Sequence, residues 1–321
     1  MGRTPPSLPG QQRGALLILL VIALGILAVT LFVGMLTSSE IQIERDKKTA
    51  AALAEAKAAL IGYAVSDPNR PGELPCPDYN GDGQITIAGD YSGSKCKSYT
   101  GRLPWKSLGL PDLRDGYGEQ LWYAVSVNFR ANSTVPLNSD VPGQLSIGGI
   151  SPANNVIAIV FAPGPALSGQ IRDAAHANDP ASYLEGNNAL GGSNTNFTTA
   201  NVSSTFNDRL LPITNDNLFP VVEKRIANII MGTGTSSTST TGLRKYYWNN
   251  SAYPSSPLNY GSLQYSNDPT TQANTLTMLT NNGWDTLVVY SPTSPPAKAQ
   301  LTLKYCNDIS VSGQAGSVSC P

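Results

Sequence analysis

Between Ala15 and Leu36 the chain carries no charged residue, and no other feature limits its fold as strongly. A run of roughly 20 apolar residues is what a helix needs to cross the hydrocarbon of a bilayer, where each backbone N–H and C=O must be satisfied within the segment. Arg3 and Arg13 precede the run with no acidic residue beside them. By the positive-inside tendency the N-terminus stays cytoplasmic and the remainder is exported. Past Leu36 the charges Glu40, Glu44, Arg45, Asp46, Lys47 and Lys48 are mixed in sign.

An export signal that is cut off would show a shorter apolar core ending at a small-residue cleavage site. Here "GMLTSSEIQIE" runs straight on into "IERDKKTAAALAEAKAALIGYAV". Ala, Leu, Lys and Glu are strong helix formers, and Glu44 with Lys48 can pair across one turn. Helical pattern persists until Asp67-Pro68, because the residue before proline disfavours the helical region. One helix is therefore expected from Ala15 to about Val65, on the order of 75 Å at 1.5 Å per residue. Its first half is uniformly apolar and its second half amphipathic. A simple anchor needs far less.

The rest of the chain reads as a head built outside the cytoplasm. Only 13% of residues are charged, against roughly 25% in an ordinary soluble domain. Ser, Thr, Asn, Gly and Pro fill the difference, which suits a loop-rich β protein. A net charge of −1 gives no field for nucleic acid. Four cysteines fall as two close pairs, Cys76 with Cys96 and Cys306 with Cys320. Three pairings are open in principle, but closing the short loops costs least entropy. Two local disulfides in an oxidising compartment such as the periplasm are expected.

A short basic leader ending in Gly14, an apolar helix beginning at Ala15 and an amphipathic continuation into a β-rich head resemble the type IV pilins and the pseudopilins of type II secretion. The resemblance implies that a prepilin peptidase on the cytoplasmic face cuts between Gly14 and Ala15 and methylates the new N-terminus. It further implies packing of the helix against other pilin or pseudopilin subunits, contact with an inner-membrane assembly platform, and a single-pass inner-membrane location with the head periplasmic or on an extracellular filament. One departure stands out. Pilins of the common type carry glutamate at the fifth mature position, which here is Leu19. Its absence points to a minor or tip subunit.

Within the head, "DYNGDGQI" matches the opening of a calcium loop, with Asp78, Asn80 and Asp82 as oxygen ligands, Gly83 at the turn and Gln84 offering its carbonyl. The twelfth position is Gly89 rather than an acid, and Asp90 follows one residue late. Calcium at Asp78, Asn80, Asp82, Gln84 and Asp90 stands beside a metal-free turn closed by Cys76–Cys96. "LRDGYGEQLWYAVS" reads as a turn at Asp115-Gly116 followed by a strand with Leu121, Trp122, Tyr123 and Val125, and it resembles a turn-and-strand segment of major pseudopilin heads. Further strands are expected at Val156 to Phe161, at Thr286 to Tyr290 after a hairpin turn in "NNGWDTLVVYSP", and at Leu301 to Tyr305. The cysteine-bounded stretch Cys306–Cys320 resembles the disulfide region of many pilins.

The stretch from Gly169 to Asn207 is long and polar, and reads as a candidate contact surface or, equally, as a solvated insertion. "NDNLFPVVEKRIANIIMG" reads as a helix capped near Asn215 or Asp216 and stopped at Gly232, with Leu218, Val221, Val222, Ile226, Ile229 and Ile230 on one face. "GTGTSSTSTTG", Gly232 to Gly242, reads as a flexible linker. The strings "YLEGNN" and "FNDRLLPIT" resemble a group of large proteobacterial pilin-like proteins.

Enzyme readings find little support. His176 is the sole histidine, so chemistry built on several imidazoles is excluded. No nucleophile-elbow, zincin or phosphate-loop string is present. Asp112, Asp115 and Glu119 are close carboxylates that turn capping accounts for. The expected fold is α+β: a long N-terminal helix, transmembrane then amphipathic, packed on a β-rich, disulfide-stapled head. Its parts are a leader at 1–14, the helix at 15–65, a head at 66–231, the linker at 232–242 and a C-terminal β part at 243–321. The expected role is a structural subunit of a type IV filament, with a membrane-anchored periplasmic binding protein or adhesin as the alternative.

Overall fold

The computed structural model describes residues 13–131, 134–233, 240–293, 298–312 and 315–319; the side chains of 13–18, 28–38, 308, 312 and 315–319 lie outside this description. Two compact units divide the chain, residues 1–48 and 49–321. Helix α1, Arg13–Ser66, begins in the first and ends in the second. Among the described residues no helix is long and apolar enough to cross a membrane. Much of the run expected to cross, 15–18 and 28–36, falls on side chains outside the description.

In the second unit α1 buries Thr49, Ala52, Leu53, Ala56, Leu60 and Ala64. Those positions recur every three or four residues, so they form one stripe, and its apolar members enter the same buried core as the central sheet. Pro68 ends the helix as expected. The carbonyls freed there are taken by Arg225, whose Nη1 donates to Val65 O and, at 2.6 Å, to Asp67 O. A cation at a helix C-terminus also complements the dipole.

After α1 the chain makes a four-residue helix α2 (Ile87–Asp90) and a short hairpin, β1 (Tyr91–Ser92) and β2 (Lys95–Cys96). The central sheet follows the order β3 (Thr100–Arg102), β4 (Trp122–Val125), β7 (Ala158–Ala162), β9 (Arg209–Ile213), antiparallel throughout. A second sheet holds β5 (Leu145–Gly149) between β6 (Ala153–Val156) and β8 (Asn196–Thr199), with β8 parallel to β5.

Both faces of the central sheet are covered, which is why β4 and β7 are buried at each position. Tyr123, Val125, Ala158 and Val160 join a large core with α1 and α3 (Asn215–Met231). Trp122, Ala124, Ile159 and Phe161 face the other way, into a second core with Leu145, Ile147, Tyr183, Leu184 and Phe197.

The single strand expected from Val156 to Phe161 is in fact two. It breaks at Ile157, where the chain leaves β6 of one sheet and enters β7 of the other. Within β6, two residues before the break, Asn155 has a positive φ of 54°. Helix α3 matches its expected span, but Thr214 is the N-cap: the Asn217 side chain answers the Thr214 backbone, and the Thr214 side chain meets the Asn217 backbone in return. Leu218, Val222, Ile226 and Ile230 are buried as expected, whereas Val221 is exposed.

The segment from Gly232 to Gly242 brings its own ends together, with Thr241 N donating to Thr233 O at 2.9 Å. Gly232, at φ 82°, has no room for a side chain against the Thr241 backbone. Residues 234–239 of the expected linker lie outside the described residues. The C-terminal part, expected to be β structure, instead opens with helices α4 (Gly242–Asn250), α5 (Pro269–Asn281) and α6 (Trp284–Leu287).

The four-stranded sheet β10 (Val289–Thr293), β11 (Lys298–Thr302), β12 (Asp308–Ser312), β13 (Ala315–Ser319) completes the head. The strand expected at Thr286 to Tyr290 starts later because Asn282 caps α5 and Trp284 opens α6, so "NNG" ends a helix rather than turning a hairpin. The strand expected at Leu301 to Tyr305 likewise lies earlier, at β11, and the chain turns before Cys306. Leu243, Leu279, Trp284 and Leu301 enter the same core as α1 and α3.

Candidate functional site

The loop from Cys76 to Cys96 is closed by the expected disulfide, with Cα atoms 5.5 Å apart. Cys306 carries no free thiol; Cys320, its expected partner, lies outside the described residues. The first loop docks on the central sheet through backbone bonds in both directions between Asp78 and Arg102, at 3.0 and 2.9 Å.

Inside this loop Asp78 is buried, and each of its oxygens accepts a backbone N–H: Oδ1 from Gly81 at 2.7 Å, Oδ2 from Gly83 at 2.6 Å. Asn80 Oδ1 accepts from Asp82 N, Asp82 Oδ1 from Gln84 N, and Asp90 from both Tyr79 N and Thr86 N. Gly83, at φ 82°, lies against the Trp105 indole, where a Cβ would clash. Lys106 donates to Asp82 O.

The candidate ligands Asp78, Asn80, Asp82, Gln84 and Asp90 are thus brought into one turn, where their oxygens organise the backbone. Burial raises the pKa of Asp78, the Gly83 and Gly81 amides lower it, and the Asp90 and Asp82 carboxylates raise it again. A divalent cation would offset that repulsion. Among the described residues no three His, Cys, Asp or Glu side chains stand close enough to hold one.

Beside this loop lies an open depression of about 680 Å³, lined by Asp67, Asn69, Arg70, Glu73, Ile87, Tyr91, Gly93 and Ser94. Its floor is rigid. Arg70 pairs with Glu73 and donates to the carbonyls of Arg130, Asn128 and Val135. Arg130 in turn ties Ser94 O at the hairpin tip. Its rim carries Ile87, 82% exposed. Tyr91 is pushed up to about 12, first by burial and then by Tyr63, Glu73 and Asp90. Sequence reading missed this concavity, since its residues come from the end of α1 and a hairpin that periodicity does not register.

The stretch from Gly169 to Asn207, the candidate contact surface, also folds inward, at Tyr183, Leu184, Phe197 and Phe206. Tyr183 and Leu184 are buried between two 3₁₀ turns (Pro180–Ser182 and Gly186–Leu190), and Phe197 is buried on β8. A few large side chains dispersed among polar ones give no period, and that is why the stretch reads as solvated.

His176 is partly exposed and lies 2.6 Å from Asp173 Oδ1. Asp115 is buried and caps its own turn, accepting from Tyr117 N, Glu119 N and Gly164 N. Asp112 pairs with Arg114 and Glu119 with Arg172. These contacts account for the carboxylate cluster.

Gly14 and Ala15 fall in the first turn of α1. Farther along, the described residues from Leu19 to Leu27 are exposed without a break, Leu19 at 65% and Ile26 at 61%. No protein-family model, curated protein or solved structure matches this chain.

Proposed function

We propose that this chain is a minor pilin or pseudopilin, a structural subunit placed at or near the tip of a type IV filament. The observation that supports it best is the surface of α1. Leu19, Leu20, Val21, Ile22, Leu24, Ile26 and Leu27 all face outward, each more than half exposed. An apolar surface on all sides of a helix cannot be left in water, so lipid or other apolar helices must cover it. Membrane lipid would serve before assembly and neighbouring subunits after it. Leu19, having no charge, asks for no partner amine inside such a bundle.

The head fits the same role. From Thr49 onward α1 belongs to the same compact unit as the head and shares its buried core through Ala52, Leu53, Ala56, Leu60 and Ala64. The disulfide suits an exported domain.

Processing tests the proposal. N-terminal sequencing of membrane-extracted protein, made with and without a prepilin peptidase, is expected to give a mature chain starting at Ala15 only when the peptidase is present. Retention of the leader under both conditions would overturn the pilin assignment and leave a tethered binding protein.

A further inference from the structure

Two buried carboxyls face each other beside the second core. Glu185 precedes the Gly186–Leu190 turn and Asp208 precedes β9; they are 7% and 5% exposed. Each is tied to the other's backbone. Glu185 N donates to Asp208 Oδ2 at 2.9 Å, and Asp208 N donates to Glu185 Oε2 at 3.0 Å. Asn207 N also reaches Glu185 Oε2, Gln170 Nε2 reaches Glu185 Oε1, and Asn188 Nδ2 reaches Asp208 Oδ2. Asp208 Oδ1 is buried with no partner among the described residues.

Among the described residues no ion pair joins an Arg or Lys to Glu185 or Asp208. Arg172 approaches through Gln170, but its guanidinium is committed to Gly164 O, Gln170 Oε1 and the Glu119 carboxylate at 3.0 Å, with Tyr183 beneath it. Arg102 also stacks on the Tyr183 ring and donates to Ala177 O. Arg209 follows Asp208 in the chain, at the start of β9. Two bare carboxylates side by side in a low-dielectric site repel strongly, and one proton between them removes both the repulsion and the orphaned oxygen.

We propose that Glu185 and Asp208 share a single proton and so latch residues 164–208 onto the central sheet, a closure that opens when the proton is lost in alkaline solution. Burial first, and the Glu185 carboxylate second, push Asp208 up to about 8. The sign follows from linkage. A carboxyl raised above its unfolded value binds its proton more tightly in the folded head. Its stabilisation is therefore complete at acid pH and is lost as pH rises through the folded value. The elements released are those the pair holds: the Gly186–Leu190 turn and the return through Asn207.

Hydrogen exchange of the full-length protein in detergent, at pH 6 and pH 9 and corrected for intrinsic rates, reads the latch directly. Protection across 183–208 is expected to fall roughly tenfold at pH 9 while α3 keeps its own. Asp208→Asn, whose amide can donate to Glu185, is expected to hold the segment closed at both pH values. Equal pH sensitivity in that variant, or none in the unsubstituted protein, would overturn the latch. Should Asp208→Asn fail to fold, carboxyl carbon titration of the unsubstituted protein decides instead: one carboxyl titrating above about pH 6 supports the pair, and its absence overturns it. None of these readouts depends on filament assembly.

Discussion

Arg102 on β3 lies with its guanidinium carbon 4.0 Å from the centre of the Tyr183 ring, and 4.3 Å from that of Trp122 on β4. The cation is buried and bonds Ala177 O and Gln120 O, so a sheet residue clamps the returning 173–184 segment. Burial lowers the Arg102 pKa, and Tyr183 and Glu119 hold it up. Lysine has neither the planar face for stacking nor the fork for two carbonyls. Arg102→Lys is therefore expected to cost about 1–3 kcal/mol in chemical denaturation. A loss below about 0.5 kcal/mol would show that the stack contributes little.

The inward fold of Gly169 to Asn207 gives a sharper test. Phe197 packs with Phe161 at 5.3 Å between ring centroids and is 2% exposed. Phe197→Ala is expected to destabilise the head by about 3–5 kcal/mol, whereas a solvated insertion would tolerate it. Val202→Ala, 67% exposed in the same stretch, is the matched control and is expected to change little.

That contrast explains what the sequence disclosed. α1 and α3 were readable to within a residue or two because Ala56, Leu60 and Ala64, or Leu218, Val222 and Ile226, repeat at helical spacing. β4 was readable from its aromatic run. The break at Ile157 was not, because a continuous apolar stretch does not record which sheet each half joins. α5 and α6 were missed because Asn282 and Gly283 suit a hairpin turn as well as a helix end. The Glu185–Asp208 pair lies in two strings, "YLEGNN" and "FNDRLLPIT", but nothing short of the fold sets them together.

α1 and α3 are joined by Lys57, which donates to Asn217 Oδ1 and Pro212 O, each at 2.8 Å. Asn217 Oδ1 also accepts from Thr214, so one amide closes the α3 cap and receives α1. Asn217→Ala removes both roles and is expected to cost about 1–2 kcal/mol. Lys57→Met is expected to cost less alone, and the double variant less than the sum of the singles. Strict additivity in that cycle would show that the two residues do not interact.

The disulfide closes a loop with its cysteines 20 residues apart, for which chain entropy gives about 3 kcal/mol. Cys76→Ser with Cys96→Ser is expected to lower stability by that amount and to expose the Asp78 turn to protease. The depression beside α1 should loosen with it, because Arg130 holds Ser94 within the same loop. Unchanged proteolysis of the turn would mean that docking on β3 is enough to hold it.

Calcium is the remaining question for that loop, and the hydrogen bonds set an expectation. Asp78 and Asp90 already accept two backbone N–H groups each, and Asp82 one. These bonds already close the turn through its own backbone, and melting is expected to be the same in chelator as in millimolar calcium. Asp78→Ala, which orphans the Gly81 and Gly83 amides, is expected to destabilise the head by about 2–4 kcal/mol in either medium. The opposite result is equally readable. A calcium-dependent rise in melting temperature that Asp82→Ala abolishes would mean that the free lone pairs of Asp78, Asp82 and Asp90 gather round an ion, and that the repulsion raising Asp78 is what draws it in.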